Sequence, residues 1–68
     1  MTYNEQVKYR DVERVLKNAG WWLKSNDGPH EKWTNGRDAV HVPRHKEINE
    51  YTAKSIIKKA RNNPGPIR

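Results

Sequence analysis

The 68-residue chain has no cysteine, so neither disulfides nor a thiolate zinc site can hold it together, and apolar burial must do so alone. It also lacks any apolar run of roughly eighteen residues, the length needed to span a bilayer. Its first residues, Met1-Thr2-Tyr3-Asn4-Glu5-Gln6, do not follow the basic and then apolar order of a secretion signal. A soluble, unexported, cytoplasmic protein with no membrane partner is the expectation. Glycine-rich phosphate loops are missing too, since Gly20, Gly28, Gly36 and Gly65 each stand at a turn. Ser25 and Ser55 have no nucleophile-elbow context. His30, His41 and His45 lack the tight spacing of helix-borne ligands, so no metal or other cofactor is expected.

What the chain does have is positive charge, unevenly placed. The formal net charge is +6. Residues 1–43 carry seven Lys/Arg against six Asp/Glu, whereas residues 44–68 carry seven against two. A basic face of this kind attracts polyanions, and release of counterions from RNA or DNA would drive binding without reading sequence. A solvated basic surface that serves only solubility has the same composition.

The length allows one domain with a thin core, since chains this short bury only about 60% of their unfolded surface. From Lys8 to Gly20, Val12, Val15, Leu16 and Ala19 line one face of a helix that Gly20 ends. Residues 1–7 show no such period and read as a frayed lead-in. Trp21-Trp22-Leu23-Lys24 reads as a strand, followed by the turn Ser25-Asn26-Asp27-Gly28. A second strand runs from Pro29 to Thr34. Asn35-Gly36 then signals a two-residue hairpin, and a third strand from Arg37 to Val42 is stopped by Pro43. Residues 44–48 read as a loop. The last helix spans about Glu50 to Arg61, with the stripe Ala53, Ile56, Ile57 and Ala60 and a cap from Asn49 or Thr52. Asn62-Asn63-Pro64-Gly65-Pro66 cannot continue it and reads as a loose tail.

Two amphipathic helices and three short antiparallel strands predict an α+β fold of order α-β-β-β-α, both helices on one face of the sheet and the other face free for a partner. Strand alternation sets His30, Lys32 and Thr34 against Glu31 and Trp33. With Trp33 in the core, His30 faces solvent beside a lysine, with Ala39 and His41 on its side. Imidazole titrates near pH 6.5, which suits proton transfer at neutral pH. RNA matches so sparse a site, because its own 2′-hydroxyl is the nucleophile and the protein need only move protons and steady the phosphate charge. One histidine can serve as base or acid there. Lys32, Arg44 or Lys46 can neutralise the phosphate. Trp22, of opposite parity to Trp21, can stack on a base, fill a partner's groove or bury against the N-terminal segment.

Four stretches taken together carry a family resemblance: Ala19-Gly20-Trp21, Gly28-Pro29-His30, Val40-His41-Val42-Pro43-Arg44-His45, and Thr52 to Ala60. They resemble the HicA toxins of toxin–antitoxin systems, from about residue 8 to residue 61, with residues 1–7 and 62–68 as loose ends of a single domain. The resemblance implies a double-stranded-RNA-binding-like α-β-β-β-α fold, metal-independent endonuclease cleavage of mRNA, and inhibition by a HicB antitoxin that covers the active face. It makes His30 the catalytic residue, through the Gly-Ser-His motif that falls on Gly28-Pro29-His30. The Val-Pro-x-His motif falls on Val42, Pro43 and His45, and the RNA-binding set is Lys32, Arg44, His45 and Lys46. Two residues depart from the family pattern. Pro29 replaces the usual serine, removing a hydroxyl and a backbone donor, and Ser25 stands where arginine is frequent.

Overall fold

The computed structural model describes residues 6–26 and 28–66. The chain runs β1 (Gln6–Lys8), α1 (Tyr9–Asn18), β2 (Trp22–Ser25), β3 (His30–Thr34), β4 (Ala39–Pro43), β5 (Glu47–Asn49) and α2 (Glu50–Asn62). Strands β2, β3 and β4 form an antiparallel sheet in that order, while β1 and β5 pair antiparallel in a separate ribbon. The α+β class and the three-stranded sheet expected from the sequence are both present.

Each helix turns its predicted stripe to the core, fully for five of the eight positions and in part for Val15, Ala19 and Ile57. Val12 and Leu16 of α1 are fully buried, with Val15 and Ala19 partly so. The C-terminus of α1 closes as a Schellman turn: Trp21 N donates to Leu16 O at 2.9 Å and Gly20 N to Lys17 O at 3.0 Å, with Gly20 at φ +87°. That turn delivers Trp21 into the core beside Leu16. In α2, Ala53, Ile56 and Ala60 are buried, and Lys54, Lys58 and Lys59 point to water. Asn49 caps the helix, its Oδ1 accepting from Tyr51 N at 2.8 Å. Both stripes join one cluster with Trp33, Val40 and Val42 of the sheet, so the two helices cover the same sheet face.

Several local expectations are corrected. The lead-in is not frayed where it is described: Val7 sits opposite Ile48 across the β1–β5 ribbon, and Ile48 is a core residue. Consequently only residues 44–46 of the supposed 44–48 loop stay irregular. Residues 1–5 lie outside the described residues. The Asn35-Gly36 turn is not a two-residue hairpin, because only Gly36 takes positive φ. Asn35 instead accepts from Arg37 N at 2.8 Å and Asp38 N at 2.6 Å through its side chain, building a four-residue loop, so β4 begins at Ala39 rather than Arg37.

The tail is not loose between residues 63 and 65. Asn63 O accepts from Trp21 Nε1 at 2.9 Å and from Asn35 Nδ2 at 2.8 Å, and Gly65 N donates to Ala19 O at 2.7 Å. A Cβ on Gly20 would sit 2.7 Å from Gly65 O, so two glycines let these backbones touch. Truncation after Asn62 leaves the buried Trp21 and Asn35 donors without their acceptor, and each such orphan costs about 1–3 kcal/mol. Urea unfolding of the truncated chain is expected to show a loss of about 2 kcal/mol or more. An unchanged midpoint would mean the docked tail contributes nothing.

Candidate functional site

The side of the sheet away from the helices is open. Cross-strand register places Trp22, Thr34 and Ala39 in one row, Ser25, Lys32 and His41 in the next, and His30 with Pro43 at the end. None of these residues is a carboxylate. His30 is exposed as the first residue of β3, and Lys32 follows two residues on, about 7 Å along the strand on the same side. The outward histidine expected from strand parity is therefore observed, and it comes from burying Trp33, which is 1% exposed. At the far end Trp22 is 40% exposed over the Gly36 turn. The register slips between Leu23 and Ser25, leaving Lys24 as a bulge that restores Ser25 to the row of Lys32.

The residues suggested as phosphate contacts do not all gather at His30. Lys32 shares its face. Arg44 sits at the sheet's end, its backbone N donating to Pro29 O at 3.1 Å and its guanidinium 3.4 Å from Gly28 O and 3.5 Å from Asn26 O. That long, exposed contact braces the loop leading into His30 from outside. His45 and Lys46 belong instead to a pocket of about 490 Å³ that Arg44 also lines, together with Lys8, Tyr9, Arg10 and Glu31. No three His, Cys, Asp or Glu side chains converge as a metal cage among the described residues.

At the pocket's base is a linked pair. Glu31 points inward with Trp33, and its Oε1 accepts from both the Tyr9 hydroxyl and Trp33 Nε1, the latter at 3.1 Å. Tyr9 is held there because its own N donates to Lys46 O at 2.9 Å at the start of α1. Burial first, then the hydrogen bond to Glu31 and its negative charge, hold the Tyr9 phenol well above its ordinary range. It therefore stays a donor. Sequence reasoning missed Lys8, Tyr9, Arg10 and Glu31 as site residues; the inward parity of Glu31 was the one available signal.

Apart from the β1–β5 ribbon, the order α1-β2-β3-β4-α2, with both helices under one face of a three-stranded antiparallel sheet, is the α+β arrangement expected from the sequence. Within that class, residues 9–61 match the model of the family described as the HicA toxin of bacterial toxin–antitoxin, and the chain belongs to that family. It is thus of the toxin half of such systems. No curated protein and no solved structure matches the chain. No helix among the described residues is long and apolar enough to cross a membrane.

The raised Tyr9 phenol has a pH consequence. Because it keeps its proton after an unfolded tyrosine begins to lose it, near pH 10, its contribution to stability is complete below that pH and declines above it. Urea midpoints measured from about pH 8 to about pH 11 should fall more steeply for the natural chain than for Tyr9→Phe. Parallel curves would exclude the effect.

Proposed function

We propose that the chain is the toxin of a toxin–antitoxin pair and acts as an endoribonuclease on mRNA, with His30 as general acid or base at the scissile phosphate. One observation carries the reading: in a HicA family chain, the histidine of the family motif stands exposed at the end of a sheet face that bears lysine and histidine but no carboxylate. An RNA strand laid on this face meets no like charge. In cleavage, the 2′-hydroxyl attacks the adjacent phosphorus and the 5′-oxygen leaves, giving a 2′,3′-cyclic phosphate and a 5′-hydroxyl end. His30 takes the proton from the nucleophile or gives one to the leaving oxygen. Lys32 on the same face, with Arg44 at its edge, offsets the charge on the phosphate. His45 and Lys46 extend the basic surface beyond Arg44. Trp22 offers a ring for base stacking at the other end of the face.

The protein partner in this reading is a HicB-type antitoxin that covers the open face, and the site of action is the cytoplasm. No metal enters the reaction as written.

A non-catalytic RNA-binding module of the same fold is the second reading, and Pro29 favours it. At that position the family's serine would supply a hydroxyl, whereas Pro29 contributes only a carbonyl, already taken by Arg44 N.

Incubation of labelled RNA with the purified chain in EDTA separates the two. Cleavage to 5′-hydroxyl ends, lost by about a hundredfold or more in His30→Ala with RNA affinity retained, is the expected result. Because His30 is exposed, that variant should unfold at the same urea concentration as the natural chain. Retarded but intact RNA would establish the binding module instead, and DNA, lacking the 2′-hydroxyl, should survive in either case.

A further inference from the structure

The pocket at the end of the sheet has a composition that the open face does not explain. Lys8, Arg10, Arg44 and Lys46 line it with a single carboxylate, Glu31. The ion pairs formed among the described residues, Asp11–Arg14, Glu13–Lys17 and Glu50–Lys54, use none of those four cations. Its volume, about 490 Å³, falls within the range of small-ligand sites, roughly 300–1,000 Å³. A surplus of cations alone would suit any anion. Glu31 narrows the choice, because a bare phosphate or an acidic side chain gains nothing from a carboxylate, whereas a nucleotide brings hydroxyl and amino donors as well as its phosphate. Two donors, from Tyr9 and Trp33, fix that carboxylate through Oε1, and among the described residues nothing donates to its other oxygen.

The pocket also adjoins the chemistry. Glu31 follows His30 in β3 and faces the opposite side of the sheet, and Arg44 both lines the pocket and binds the backbone of Pro29.

We propose that this pocket holds one nucleotide of the RNA strand, next to the one cleaved at His30, with its phosphate on Lys8, Arg10, Arg44 and Lys46 and a ribose or base donor on Glu31. The assignment rests on the RNA reading above and adds a second subsite to it.

The test uses the full chain carrying His30→Ala, so that RNA stays intact, and follows binding of a fluorescent single-stranded RNA across a salt series. Lys8→Gln with Arg10→Gln, both exposed, should weaken binding about tenfold or more and flatten the salt slope by about 0.7 for each phosphate no longer neutralised. Lys17→Gln with Lys54→Gln removes the same charge from residues already ion-paired, and should do far less. Adenosine monophosphate should displace the RNA at lower concentration than inorganic phosphate. Unchanged binding in the Lys8/Arg10 variant, or an equal loss in the control pair, would overturn the subsite while leaving the RNA reading intact. Equal displacement by the two anions would overturn the nucleotide assignment. Failure of the His30→Ala chain itself to bind RNA would remove both readings. Loss of binding to an antitoxin with RNA binding untouched would mark the pocket as a protein contact and overturn the proposal.

Discussion

Burying Trp33 sets the parity of β3, and the parity of β3 decides which chemistry meets solvent. With the indole packed against the helices, Glu31 must also face inward and His30 and Lys32 outward, while Thr34, on their side, is buried under the hairpin loop with its hydroxyl donating to Asp38 O. A slip of one residue would exchange the two sets, hiding the histidine and exposing the largest core side chain. The cross-strand partners agree with the chosen register: Val40 and Val42 join Trp33 below, and His41 lies beside Lys32 above. Stability and the proposed activity are therefore specified by the same five residues. Small residues in α2, Ala53 and Ala60, are fully buried in the same cluster as the indole.

A core this thin is supplemented by the ends of the chain. The β1–β5 ribbon brings Val7 against Ile48 and so ties the start of α1 to the start of α2. At the opposite end of α1, Asn63 O satisfies two buried donors and Gly65 lies on Gly20. Without cysteine, backbone contacts of this kind take the place of covalent staples.

The helices and the open face were legible because each rests on a periodic signal: stripes at three and four in α1 and α2, alternation in β3 and β4. The face of His30 followed from alternation plus one assumption, that Trp33 is core. What the sequence did not disclose depends on partners distant in the chain. Three-residue strands such as β1 and β5 are too short to show a period, and neither exists without the other. The basic pocket inherits that invisibility, since Lys8 and Arg10 reach Lys46 only through the ribbon. Asn35-Gly36 misled for a local reason. The Asn35 side chain captures the next two backbone donors, so the residue keeps negative φ and the loop lengthens. Pro64 and Pro66 forbid a longer α2, which stops at Asn62, but say nothing of where the chain goes next.

An open three-stranded sheet leaves two unpaired borders, and both are obstructed here. On β2 the ladder is interrupted at Lys24, an exposed cation on a kinked stretch, and β4 closes with Pro43, which has no hydrogen to offer a neighbour. A second copy approaching side by side would find too few regular groups to continue the pleat. Aggregation by lateral stacking is thereby discouraged, so the bulge that brings Ser25 into line with Lys32 also keeps a small, basic, half-naked sheet dispersed when nothing covers it.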